Sequence, residues 1–323
     1  MTKIAILDDY QSCVQSLDCF DTLTQHEVEI FHDNVKDTGL LAQRLHDAEA
    51  IVLTRERTKI TAQLLDQLPR LRLISQTGKV SGHIDIAACT DRGIAVMDGE
   101  GHGAATAELT WCLMLASRRH FVPEVNRLKQ GLWQGHLGQQ LRGQRLGIWS
   151  YGRIGQQVAA YGKAFGMHTW VWGSEHSTSR ARADGFEIAP SKEALFAESD
   201  IVSLHLRLSD RTRGIIGPAD LARMKDSALL VNTSRAELIQ PGALEAALRA
   251  GKPGYAAVDV FENEPLIGTE HPLLGLPNAL CTPHIGFVEK DNYEAYYGKA
   301  FENILRFFKG DMQGVVNPES LSR

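Results

Sequence analysis

A chain of 323 residues that is 43% hydrophobic and 23% charged has enough apolar side chains for a large α/β body or more than one domain, which excludes disorder as its main state. A formal net charge of −5, with a pI near 6.2, argues against nucleic acid or an anionic membrane surface as the partner, so an anionic ligand must be held by local groups. The opening stretch Met1 to Asp9 has too short an apolar run for a signal peptide, and no run of about 18 apolar residues exists to cross a membrane. The five cysteines are odd in number and lack C-x-x-C spacing; they suit a reducing cytoplasm and small buried apolar roles, and no metal site is expected.

Residues 3–7, 28–31, 50–53 and 71–75 are short, apolar and bounded by turn residues, so each reads as a strand, with 94–96 as a fifth. Between them, 40–48 and 61–68 carry helical periodicity, the second capped by Thr61 and stopped before Pro69. This alternation implies a mostly parallel sheet covered by helices. A second unit is expected to begin at the glycine-rich hinge Gly99-Glu-Gly-His102-Gly, followed by one long helix over 104–128, with Leu109, Cys112, Leu113 and Ala116 on one side. After a Gly/Gln-rich loop at 131–143, strands are expected at 146–149, 169–172, 201–204, 229–232, 256–260 and 279–281, with helices at 152–164, 219–224 and 241–250. A final amphipathic helix over 293–309 is free to return to the first domain. The fold class is α/β: two Rossmann-like or flavodoxin-like domains with doubly wound parallel sheets and a cleft between them. The expected boundaries are 1–99 plus 290–323 for a substrate domain, and 100–289 for a dinucleotide-binding domain.

The stretch Leu146-Gly-Ile-Trp-Ser-Tyr-Gly-Arg-Ile-Gly155 reads as strand, tight turn and helix start, where backbone N–H groups favour an anion. It is one glycine short of G-x-G-x-x-G, because Ser150 holds the first glycine position. Three further sites fall just past predicted strand ends, on the rim where ligands bind in such sheets. The strand at 229–232 runs into Thr233-Ser-Arg235, the one at 256–260 into Glu264, and the one at 279–281 into Thr282-Pro-His284. Arg235 can grip a carboxylate or carbonyl oxygen through paired hydrogen bonds. His284 can exchange a proton near neutral pH, and an adjacent Glu264 would orient it and favour its protonated form. A nicotinamide would supply the hydride, which no side chain can.

Taken in order and spacing, Thr106-Ala-Glu108-Leu, Leu141-Arg-Gly-Gln-Arg-Leu-Gly-Ile, Gly152-Arg-Ile-Gly155, Leu204-His205-Leu, Val231-Asn-Thr-Ser-Arg235, Asp259-Val-Phe-Glu-Asn-Glu264-Pro, Thr282-Pro-His284-Ile-Gly286 and Val316-Asn-Pro-Glu319 resemble the D-isomer-specific 2-hydroxyacid dehydrogenases over nearly the whole chain. The resemblance implies an NAD(P)-dependent oxidoreductase acting on the CH–OH group of a D-2-hydroxy acid, phosphoglycerate-, glyoxylate- or hydroxypyruvate-like. It implies Arg235, Glu264 and His284 as the catalytic trio. Cofactor contacts are implied at Thr106, Ser150, Tyr151, Gly152, Arg153, Ile154, Gly173, Ser174, Glu175, His205, Thr233 and Asp259, with Asp259 near the nicotinamide amide. Substrate contacts are implied at Lys79, Val80 and Arg235. A cytoplasmic homodimer is implied, with a small-molecule substrate, no nucleic acid and no membrane. No appended regulatory domain is expected after Val316-Asn-Pro-Glu319.

Four departures from the family pattern bear on specificity. Ser150 costs of order 1 kcal/mol if its turn needs a positive φ. Gly173 stands where NAD-preferring members place Asp; Glu175 can substitute from two residues on, or Ser174, Ser177 and Arg180 can receive a 2′-phosphate, so NAD is favoured with NADP open. In Gly78-Lys79-Val80-Ser81-Gly82, Lys79 is either a solvated surface residue or a positive charge for a second acidic group. Arg207 replaces the usual proline; facing the cofactor it would favour phosphate or the 2′-phosphate, and facing outward it is inert. His83, His102, His136 and His205 read as loop or structural residues. Two other classes remain: a dinucleotide-sensing binding protein with little turnover, and a serine hydrolase built on Ser150, Asp259 and His284. The hydrolase lacks the glycine two before the serine that a nucleophile elbow needs.

Overall fold

In the computed structural model, which describes residues 1–101 and 103–322, the strand signals become two all-parallel sheets. His102, read above as a loop residue, and Arg323 lie outside the described residues. The first sheet contains β1 (Lys3–Ile6), β2 (Glu27–Ile30), β3 (Ala50–Leu53), β4 (Leu73–Gln76) and β5 (Ala95–Met97), in the order β2-β1-β3-β4-β5. The second contains β6 (Arg145–Trp149), β7 (His168–Trp172), β8 (Glu187–Ile188), β9 (Ile201–Leu204), β10 (Leu229–Asn232), β11 (Tyr255–Val258) and β12 (Ala279–Cys281). Their order is β12-β11-β10-β9-β6-β7-β8, with the reversal between β6 and β9. The chain divides into two compact units, Met1–His102 with Glu289–Arg323, and Gly103–Val288.

In the first unit, β1, β3 and β4 are fully or almost fully buried and read as apolar runs, as strands covered on both faces must. The helix Lys290–Phe308 belongs to this unit; its Tyr297 hydroxyl lies 2.8 Å from Thr54 Oγ1, and Ser75 Oγ donates to the Ala300 carbonyl at 2.9 Å. Asn317 fastens the C-terminal segment to β5. Its Oδ1 accepts from Val96 N–H at 2.8 Å, and its Nδ2 donates to the Ile94 carbonyl at 2.9 Å and to Thr90 Oγ1 at 3.0 Å.

In the second unit, alternate residues of each strand feed two cores. Leu229, Val231, Leu146 and Ile148 face one; Leu230, Val202, Leu204 and Trp149 face the other. Each such side chain contributes about 1.5–3 kcal/mol of burial free energy. The expected single helix over 104–128 is two, Ala104–Arg118 and Phe121–Lys129. His120 between them sits at φ +50°, a left-handed conformation that cannot continue an α-helix. Helices Ile86–Asp91, Glu175–Ala183 and Lys192–Glu198 went unread because they are short or polar nearly all round. Their starts are marked by side-chain caps from Asp85, Ser174 and Ser191. Strand β8, of two residues, gave no periodic signal.

The β6 exit shows why its fingerprint is incomplete at a cost. Ser150 donates its N–H to the Trp172 carbonyl at 2.8 Å and adopts φ +81°, the region that favours glycine. Its carbonyl leaves no room opposite: a Cβ on Gly155 would stand 2.3 Å from Ser150 O. Gly155 is therefore obligatory for the helix Arg153–Ala164 to pack against the strand end, whereas Ser150 is tolerated under strain.

Two outcomes follow from these contacts. Ser150→Gly should raise the unfolding free energy by about 0.5–1 kcal/mol, read as a higher urea midpoint at unchanged slope. Asn317→Ala, which strands buried backbone groups at β5, should lower it by about 1–3 kcal/mol in the same measurement.

Candidate active site

All strands of the second sheet run the same way, so their C-terminal ends share one rim. At β10, Asn232 (1% exposed) folds the exit back on itself: its Oδ1 accepts from Ser234 N–H at 3.0 Å and its Nδ2 donates to the Arg235 carbonyl at 2.9 Å. Ser234 Oγ donates to the Leu204 carbonyl at 2.8 Å, tying the loop to β9. Arg235 leaves this loop half-buried, with Nη1 on the Ser234 carbonyl at 2.7 Å. Asn232 was quoted in the sequence motif without a role; a polar side chain ending a wholly apolar strand is the signal for one.

At β11 and β12 the site is built by two carboxylates with different tasks. Asp259 Oδ1 accepts from Thr282 Oγ1 at 2.6 Å and from Ile285 N–H at 2.9 Å, and its Oδ2 accepts from Gly286 N–H at 2.8 Å. Burial pushes this carboxyl above its ordinary range, while the Thr282 and backbone hydrogen bonds pull it back. Asp259, read as a nicotinamide contact, thus spends both oxygens on the turn that carries His284. A Cβ on Gly286 would lie 3.0 Å from Asp259 Oδ2 and 3.3 Å from Thr106 Cγ2, so the turn closes tightly. His284 is held at φ +52°, with its N–H on the Thr282 carbonyl at 2.9 Å. Its Nδ1 meets Glu264 Oε2 at 2.5 Å, and Glu264 Oε1 accepts from Phe261 N–H at 2.9 Å, which fixes the carboxylate plane. The two side chains retain 15% and 17% of their exposure, so the pair is shielded but reachable. Phe287 stands edge-on to the imidazole at 5.6 Å.

The ligand end of the rim fits a dinucleotide. The first backbone bond of helix Arg153–Ala164 runs from Gln156 N–H to the Gly152 carbonyl, so the N–H groups before it stand at the helix N-terminus. A Cβ on Gly152 would meet nothing within 4 Å, which is open space for a phosphate. His205, at the β9 exit, pairs Nε2 with Ser203 Oγ at 2.9 Å, while its Nδ1 is buried without a hydrogen-bond partner. Burial pushes this imidazole down to about 3, so it is neutral at physiological pH and offers a bound molecule an unclaimed nitrogen. Thr106 Oγ1 donates to the Gly286 carbonyl at 2.9 Å, and Thr233 Oγ1 lies 2.7 Å from Thr110 Oγ1; both hydroxyls are committed to holding the helix Ala104–Arg118 against the rim.

Several of the residues implied as ligand contacts have partners within the protein. The Tyr151 side chain is 2% exposed and donates its hydroxyl to Asp184 at 2.9 Å, so only its backbone faces the turn. Gly173 directly follows β7, Ser174 caps the helix Glu175–Ala183, and Glu175 accepts from Ser179 Oγ at 2.9 Å within that helix. Arg207 is exposed. In the first unit, Lys79 is exposed and its ammonium lies 3.2 Å from Asp98 and 3.4 Å from Glu100, while Val80 packs on the core. The hydrolase order does not assemble: His284 takes its carboxylate from Glu264, and Asp259 serves the turn.

Comparison with known proteins identifies the family. Residues 111–286 match the NAD-binding domain of the D-isomer-specific 2-hydroxyacid dehydrogenases. A glyoxylate reductase of Aeropyrum pernix is 39% identical over 300 residues, covering 89% of this chain and 86% of that one. A D-3-phosphoglycerate dehydrogenase of Methanocaldococcus jannaschii is 35% identical across 90% of this chain, which spans about half (55%) of that longer relative. The crystal structure of a phosphoglycerate oxidoreductase from Vibrio cholerae O395 superposes with a TM-score of 0.94 at 50% identity, covering 96% of this chain and all of that one. The chain belongs to the D-isomer-specific 2-hydroxyacid dehydrogenase family, whose members are NAD-dependent oxidoreductases of hydroxy acids.

Proposed function

We propose that this chain interconverts a short 2-keto acid and its D-2-hydroxy acid, of the glyoxylate, hydroxypyruvate or phosphohydroxypyruvate class, using Arg235, Glu264 and His284. The observation that carries this reading is the 2.5 Å contact between His284 Nδ1 and Glu264 Oε2. With Nδ1 engaged by a carboxylate, Nε2 is the proton-exchanging atom, and the negative charge favours the imidazolium that donates to a keto oxygen. Bound at the rim, a nicotinamide supplies or accepts the hydride. Arg235 grips the substrate carboxylate and polarises the carbonyl; Lys79 is already neutralised by Asp98 and Glu100. Gly152, Arg153 and Ile154 offer the cofactor phosphates a helix N-terminus, and His205 offers a neutral nitrogen.

The unit Met1–His102 with Glu289–Arg323 is proposed as the substrate domain, and Gly103–Val288 as the dinucleotide domain. We assign the protein to the cytoplasm as a homodimer. Five free cysteines support a reducing compartment, and among the described residues no helix is long and apolar enough to cross a membrane.

A panel of 2-keto acids with NADH and NADPH separately tests the reading. Turnover with NADH on short 2-keto acids is expected; NADH binding with no turnover on any of them would favour a dinucleotide sensor instead. His284→Ala should lower kcat by at least about 100-fold and leave the NADH dissociation constant unchanged. Glu264→Gln keeps a hydrogen-bonding group but removes the charge that favours imidazolium. Its keto-acid reduction should therefore lose activity at a lower pH than the wild type as pH rises, with a kcat effect larger than the KM effect.

A further inference from the structure

Glu264 is carried by a loop that lies largely in solvent. Phe261 before the loop and Leu273 just past its end are buried in one core, whereas Glu262, Asn263 and residues 267–270 are exposed, Ile267 at 83%. A carboxylate that meets His284 at 2.5 Å needs its loop held to within about 0.5 Å. One hold is at the near end, where Phe261 N–H donates to Glu264 Oε1 at 2.9 Å. The far end is held by a second histidine, His271, which returns the loop to the core.

The His271 ring makes three contacts. Its Nδ1 accepts from Leu273 N–H at 3.3 Å and so caps the 3-10 turn Pro272–Gly275. An amide N–H can only donate, which places the ring's proton on Nε2, and Nε2 faces Glu262 Oε2 at 3.4 Å. The ring also stands edge-on to Phe261, with centroids 4.9 Å apart and planes at 77°. His271 therefore grips the residue before the loop by ring contact and the loop's first residue by its carboxylate, which closes the segment 262–270 on itself. A short polar side chain could supply the cap alone. Holding Phe261 and Glu262 together needs a ring with a donor at its far edge. We propose that His271 is a positioning residue for the reaction: it clips the two ends of this loop together and, through the Phe261 N–H, holds the Glu264 carboxylate on His284. This rests on the catalytic reading of Glu264 and His284 above and extends it to a residue outside the pair.

A double-mutant cycle on keto-acid reduction by the full-length chain tests it. His271→Ala should lower kcat about tenfold, as misplacement of a catalytic group does, at an unchanged NADH dissociation constant. In a Glu264→Ala background, which has no carboxylate to position, the same substitution should change kcat by less than about twofold. A residue that only supports the fold would cost the same in both backgrounds. His271→Asn keeps an acceptor for the Leu273 N–H, so the turn stays capped and the chain folded, but it removes the ring. Its kcat should fall as far as that of His271→Ala. Wild-type kcat in His271→Asn would make the residue a cap alone; that result, or an equal loss in both backgrounds, would overturn the positioning role and leave the catalytic reading of Glu264 intact. Wild-type kcat in Glu264→Ala itself would overturn both.

Discussion

The site depends on one buried carboxylate that does not touch the reacting atoms in this arrangement. Asp259, 1% exposed at the β11 exit, accepts hydrogen bonds from Thr282 Oγ1 and from the N–H groups of Ile285 and Gly286. Those three bonds close the segment after β12 into a turn so tight that a Cβ at Gly286 would press on Asp259 at 3.0 Å. Only in that turn does His284 occupy φ +52°, a conformation a free chain would visit at a cost of about 1–2 kcal/mol. Charge-assisted hydrogen bonds of this kind contribute about 1.5–3 kcal/mol each, enough to offset the strain and hold the imidazole against Glu264.

The two carboxylates near His284 illustrate how burial separates roles among like residues. Asp259 is saturated by backbone and hydroxyl donors and organises the loop. Glu264 accepts the Phe261 N–H through one oxygen and meets the imidazole through the other. Asn232 performs for Arg235 what Asp259 performs for His284: an amide at the end of an apolar strand satisfies the loop's own backbone, so the charged side chain is presented from a rigid base. At the cofactor end the pattern inverts. There the useful features are space above Gly152 and an unclaimed nitrogen on His205.

Much of this was legible along the chain, and what was not has local causes. The apolar runs of the parallel strands announced themselves because both sheet faces are covered. The helix Glu175–Ala183 is polar nearly all round and left only its Ser174 cap as a signal. The break at His120 could not be read because a single left-handed residue leaves the apolar periodicity on both sides intact. Thr106 and Thr233 were read toward a ligand, but their hydroxyls are engaged by Gly286 O and Thr110, partners far away in sequence.

The sequence by itself determined the β-α alternation, the incomplete glycine turn at Ser150, and an arginine, an acid and a histidine just past three strand ends. These are local patterns, and periodicity and turn chemistry report them without knowledge of the rest of the chain. Only the tertiary structure decided that β10, β11 and β12 are neighbours, so that the three residues share one rim. It also gave the expected Glu264–His284 pair its geometry and turned Asp259 from a ligand contact into the anchor of the turn. Asp259 lies 25 residues before the histidine and Glu264 lies 20 before it, and no spacing rule separates them; the difference is that the Asp259 oxygens hold the turn, whereas Glu264 presents one oxygen to the imidazole.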